Sequence, residues 1–258
     1  MKFVKVNNTV LYGFAQKAIA QNLRDFLPLT AMNNTQRLVY GLAITLIIFV
    51  IATIAGRFLP LGSTFFPDSV ITHTVMLTFS VAVIISLKMI VPFRIAWPRF
   101  KTILKPIFFG LLTAIVINLL LTALTLATGG KAEVHPLLET SSPLQTFLFV
   151  FIYASLAEEV LLRGFLQNVL TPLNIRGIRV FRIRLSLPVI ISAVVFGLIH
   201  LILLASGVSG LFVIRVVIFT TVLGIFAGYY QEKYNNFAHA VIVHMAGNLM
   251  GLVAALVT

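Results

Sequence analysis

In the C-terminal half of the chain, ionisable and amide side chains occur at spacings that could assemble one site. Glu158 and Glu159 are adjacent and Arg163 follows Glu159 by four residues; Phe196 and His200 are one helical turn apart, as are His244 and Asn248. On a helix, Glu159 and Arg163 share a face, with the acid N-terminal to the base, the favourable order for an ion pair. Glu158 is rotated about 100° from Glu159 and about 140° from Arg163, so its own helix offers it no strong partner. A carboxylate free to face two imidazoles and an amide at one depth reads as a functional cluster. Glu158, His200 and His244 could supply a two-histidine, one-carboxylate set for a divalent metal such as zinc, although no His-Glu-x-x-His helix is present. Each part also has a plain reading: the acids and Arg163 as a structural ion pair or transport relay, each histidine as a helix-packing hydrogen bond.

The elements that must position these groups lie in lipid. Of 258 residues, 59% are hydrophobic and 10% charged, where soluble domains carry about 25% charged residues. Mean hydropathy is +1.05. The net charge of +12 does not point to nucleic acid, because the basic residues fall between apolar runs. The absence of cysteine excludes disulfides, thiol catalysis and thiolate metal sites. The two aspartates, Asp25 and Asp68, lie outside the apolar runs, which argues against an intramembrane aspartyl protease.

Seven charge-poor apolar runs of bilayer length fall at roughly 38–56, 70–87, 106–128, 144–171, 186–205, 211–230 and 237–257. With the N-terminus inside, cytoplasmic segments hold 15 basic residues, among them Arg37, Lys88, Arg99, Arg179 and Lys233, and outside loops hold two, Arg57 and Lys131. Before the first run, Leu11, Ala15, Ile19, Leu23 and Leu27 recur every four residues, as in an interfacial helix or a cytoplasmic lead-in. The fourth run carries Glu158, Glu159 and Arg163, which together cost about 9 kcal/mol against about 7 returned by its apolar residues, so other helices must shield it. Glu158 and His200 each lie 21 residues from Arg179, in the basic hairpin between their helices, and His244 lies 11 beyond Lys233. Antiparallel helices therefore bring the three to comparable depth.

Glu158-Glu159-x-x-x-Arg163, Phe196-x-x-x-His200 and His244-x-x-x-Asn248, in this order on successive spans, resemble the motifs of the CPBP (Abi) intramembrane proteases, which include the type II CAAX prenyl endopeptidases. Gly164 and Gly224-x-x-x-Gly228 fit the same pattern, and the resemblance covers residues 144–257. It implies Glu158 as general base, His200 as a group that holds and activates water, and His244 and Asn248 as donors to the oxyanion. Glu159, Arg163 and Phe196 would support them. The family is also labelled metalloprotease, which keeps the zinc alternative open, although no cofactor is favoured.

Two other readings compete. Gly207-Val208-Ser209-Gly210 with His239 or His244 faintly resembles a rhomboid serine protease, but residues 206–210 also read as a tight turn between spans. A non-catalytic scaffold, a bacteriocin-immunity protein or a proton-linked transporter is the alternative of a different class. The expectation is an all-α polytopic transmembrane helical bundle of about seven to eight spans with a cytoplasmic N-terminus, multi-pass in the cell (inner) membrane. It divides into a cytoplasmic or interfacial segment 1–37, accessory helices 38–143 and a catalytic core 144–258. Its partners are a peptide or protein substrate and the lipid bilayer, with no nucleic acid.

Overall fold

In a computed structural model of the chain, residues 32–131, 133, 138 and 140–257 are described, without the side chains of 254, 255 and 257. The expected interfacial helix falls outside them. The described residues form α1 (Asn34–Phe58), α2 (Ser69–Ser86), α3 (Phe100–Ala127), α4 (Pro143–Gln167), α5 (Leu187–Ile199, continued as a 3-10 segment His200–Ser206), α6 (Gly210–Tyr234) and α7 (Ala238–Val257). The first six, taking α5 with its continuation, are long and apolar enough to cross a membrane. The seventh is an apolar helix packed along α3 and α6. The protein is a multi-pass helical bundle. The sheet among the described residues is one antiparallel hairpin, β1 (Gly177–Val180) with β2 (Ile183–Ser186), in the basic connection between α4 and α5.

Polar caps start the helices where the chain enters the apolar layer. The Asn33 carboxamide oxygen accepts from the Gln36 amide and the Gln36 side chain accepts from the Asn33 amide, both at 2.9 Å. Ser142 and Gln145 form the same reciprocal cap ahead of α4, while Ser186 and Ser209 cap α5 and α6. Each satisfies first-turn donors that lipid could not.

Lateral packing follows the solvent. Leu46, Ile47 and Ile54 of α1 and Leu119, Leu120 and Leu124 of α3 are each more than half exposed, whereas Leu161, Leu162, Phe165 and Leu166 of α4 are fully buried. Outward apolar faces suit lipid, and the helix that carries the charges is the one enclosed. It is contacted by α1, α2, α5, α6 and α7.

The backbone of α4 is not uniform. Thr146–Ala154 and Val160–Gln167 are π-helical, and the α-helical turn Ser155–Glu159 between them carries both glutamates. π-turns concentrate at functional sites. The 3.6-residue rotation therefore holds within the Ser155–Glu159 turn but not from there to Arg163.

Candidate active site

Glu159 and Arg163 form the buried base of the site. Both side chains are 0% exposed, and Arg163 Nη1 donates to Glu159 Oε1 at 2.8 Å. The guanidinium carbon lies 4.7 Å from the centroid of the Phe196 ring on α5, a cation–π contact strengthened by desolvation. Space for the arginine comes from α6: a Cβ at Gly224 would stand 2.5 Å from Arg163 Nη2, and one at Gly228 would stand 2.6 Å from Gln167 Oε1. Polar bonds fix the same interface, Gln231 Nε2 donating to the Arg163 carbonyl at 3.0 Å and Gln167 Nε2 to the Gly228 carbonyl at 3.1 Å.

Glu159 holds a second partner. His244 Nδ1 lies 2.8 Å from the same Oε1. A carboxylate oxygen accepts, so the ring donates through Nδ1 and turns Nε2 toward Glu158. This oxygen, shared by Arg163 and His244, ties α4 to α7 and sets the imidazole plane.

Glu158 faces away from this pair. Its Oε2 is 3.6 Å from His244 Nε2, and its Oε1 is 3.5 Å from Nε2 of His73 on α2. These separations are within ion-pair range but longer than good hydrogen bonds. The Glu158 side chain is 16% exposed, toward a cavity of about 490 Å³ that His73, His200, His244 and Asn248 also line. His200 ends α5 where the helix tightens to 3-10. Its Nδ1 lies 2.8 Å from the Phe196 carbonyl, an acceptor, so Nδ1 donates and Nε2 is left for the cavity. Asn248 Nδ2 donates to Ser155 Oγ at 3.0 Å and more weakly to the Val150 carbonyl at 3.5 Å.

The structure thus brings Glu158, Phe196, His244 and Asn248 to one cavity, with Glu159 and Arg163 behind them. His200 lines the cavity without an ion-pair contact to either glutamate among the described residues. His73, on α2, belongs to the same cavity although no sequence motif marks it. A histidine in an apolar run is itself a signal, but His73 has no motif partner on α2, and its neighbours come from α4: Glu158, and Tyr153, whose ring stands edge-on to it with centroids 6.4 Å apart. Thr74 and Tyr153 share a 2.7 Å hydrogen bond beside it.

The remaining alternatives can be judged by geometry. Among the described residues, no group of three or more His, Asp or Glu side chains is disposed to hold a metal ion. The Ser209 hydroxyl caps α6 by accepting from the Phe212 amide. His239 lies at the opposite end of the bundle, 3.0 Å from Thr102 Oγ1 and stacked on Tyr234. Ser209 and His239 cannot form a catalytic pair.

Residues 140–250 match the family model described as Rce1-like, type II CAAX prenyl endopeptidase Rce1-like. The match supports the CPBP/CAAX protease family and spans every motif residue from Glu158 to Asn248. It begins after α3, so His73 lies outside it. No curated protein and no solved structure matches the chain.

Proposed function

We propose that this protein is an intramembrane endopeptidase that cuts a peptide bond of a membrane-associated or lipidated substrate with a water activated by Glu158 and His200. The observation that carries the reading is the Glu158 carboxylate, set between His73 and His244 on the wall of a cavity inside a membrane bundle. The Rce1-like match supports the protease class.

In the proposed reaction Glu158 takes a proton from a water held toward His200 Nε2. The resulting hydroxide attacks the scissile carbonyl. Negative charge then develops on the carbonyl oxygen, where the Asn248 amide, on giving up its weak bond to the Val150 carbonyl, and His244 Nε2, in the imidazolium form that also keeps Nδ1 on Glu159, would donate. Collapse of the tetrahedral species breaks the C–N bond, and the proton held by Glu158 passes to the departing amine. The Glu159–Arg163 pair keeps His244 in orientation. No step requires a metal, and the cell membrane is the proposed location, with residues 144–258 as the catalytic core.

The test compares membrane proteomes of cells carrying the wild-type protein and Glu158→Gln. Processed fragments present only with the wild type are expected. Identical proteomes, with the phenotype of the wild type retained by Glu158→Gln, would instead indicate a scaffold or immunity protein.

A further inference from the structure

We infer that the cavity receives its substrate from the membrane face opposite the basic loops, so that the bond cut lies in an extracytoplasmic segment of a membrane-tethered polypeptide. The inference rests on the protease reading and names the side and class of its substrate.

The cavity belongs to one half of the bundle. Thr122 and Arg215 lie within two turns of the α3–α4 and α5–α6 connections, Glu133 lies in the former, and all three line the cavity. No lining residue comes from the 87–99, 170–186 or 235–237 connections. That opposite end is closed by packing among the described residues. The Phe93 and Phe237 rings are 5.1 Å apart, the Phe237 amide donates to the Arg94 carbonyl at 2.9 Å, and the Asn236 carboxamide pairs with both backbone groups of Ala96. Phe237, Ile90 and Val91 are buried there.

Charge assigns the two ends to the two faces. Arg94, Arg99, Lys101, Arg179 and Lys233 belong to connections or helix termini at the closed end, whereas the open end has Arg57 and Lys131 as its flanking cations, with Arg215 inside the first turns of α6. Basic residues are retained in the cytoplasm. The closed end is therefore cytoplasmic and the open end faces out. A lipidated C-terminus presented from the cytoplasm would meet the closed end.

The walls and the mouth indicate what enters. Ile115, Leu119, Phe219 and Met250 give the cavity apolar sides, suited to apolar side chains of an extended segment. The mouth is polar and braced. Arg215 donates to Thr122 Oγ1 at 3.1 Å and to the Glu133 carbonyl, and Glu133 Oε2 accepts from the Ser209 amide at 3.1 Å. The Ser209 hydrogen bonds hold the Glu133 carboxyl below its ordinary range, so the mouth presents both an anion and a cation at neutral pH. A polypeptide rising out of the bilayer matches this change from apolar wall to charged rim.

The absence of native cysteine makes the test direct. Asn118→Cys and Val216→Cys, on different helices of the cavity wall, are each exposed in intact cells to a membrane-impermeant cationic methanethiosulfonate, with Arg179→Cys as the control at the closed end. The two cavity cysteines should be modified from outside, and Arg179→Cys only in inside-out vesicles. Modification of both cavity variants from the inside only, or from neither side, overturns the inference. The same labelling in a Glu158→Gln background reads access without activity, so it stands apart from failure of the protease reading. In the proteome comparison, new termini should fall in extracytoplasmic segments of their proteins. Termini confined to cytoplasmic segments would also overturn it.

Discussion

Removing Arg163 alone should destabilise the protein more than removing Arg163 together with the charge of Glu159. Both side chains are 0% exposed, and Glu159 Oε1 accepts from Arg163 Nη1 and His244 Nδ1, each at 2.8 Å. Arg163→Met keeps an apolar chain against Phe196 and leaves a buried carboxylate with one imidazole. Breaking a buried pair in this way costs about 3–5 kcal/mol. Glu159→Gln leaves the guanidinium buried without a counter-charge, at a similar cost. It also weakens the hydrogen bond from His244, since bonds to charged groups contribute about 1.5–3 kcal/mol. The double variant has no uncompensated charge and should lose less than either single, a coupling of about 3 kcal/mol or more, at the top of the range for contacting residues. With about 2–4 °C per kcal/mol for a chain of this size, each single should lower the melting temperature in detergent by about 6–20 °C. Thermal unfolding of the four purified proteins completes the cycle. Additive losses in the double variant, or an Arg163→Met protein that melts with the wild type, would refute the argument that the pair exists to neutralise buried charge.

Glu158→Gln should lower processing by about 10²–10⁴-fold, the contribution of a general base, while melting within a few degrees of the wild type. Unfolding instead of inactivity would mean that the two glutamates have exchanged roles. His73→Phe should reduce turnover up to about tenfold, as expected for a partly buried ion-pair contact of about 1 kcal/mol, with His73→Gln recovering part of it; full activity of His73→Phe would leave the contact to Glu158 without function. Activity should survive dialysis against a strong chelator, with well under one equivalent of metal by elemental analysis. Loss restored by zinc alone would recast His244 as a ligand. Gly224→Ala should cost about 1–3 kcal/mol by overpacking against Arg163, whereas Gly210→Ala, where a Cβ meets nothing within 4 Å, should melt unchanged; equal effects would mean that the α4–α6 contact yields easily.

The seven apolar runs and the seven helices agree to within a few residues for most ends, because bilayer thickness imposes a length that composition reveals. The Glu159–Arg163 pair was legible for a local reason, as four-residue spacing survives even the π-turn that follows. Depth counting placed His244 near Glu158 because antiparallel spans share one thickness of lipid. It could not show that His244 binds Glu159 as well, since rotation about the α7 axis is set by packing. His73 was beyond motif reading because its partner is on another helix, and contacts across the bundle leave no trace in spacing.

That contact also explains why the α4–α7 unit needs the helices before it. In lipid, covering Leu162 or Phe165 with another apolar helix yields little, because lipid tails are as apolar as leucine. The flank of α4 that carries Glu158 is different. Left open to acyl chains, the carboxylate would lose an ion-pair partner and face a medium that offers none, whereas α2 presents His73 at 3.5 Å and bonds to Tyr153 through Thr74 one residue on. With α2 in place, the carboxylate keeps 16% exposure and lines the cavity. Helix α2 therefore contributes to the candidate site by covering the flank of α4 that carries Glu158.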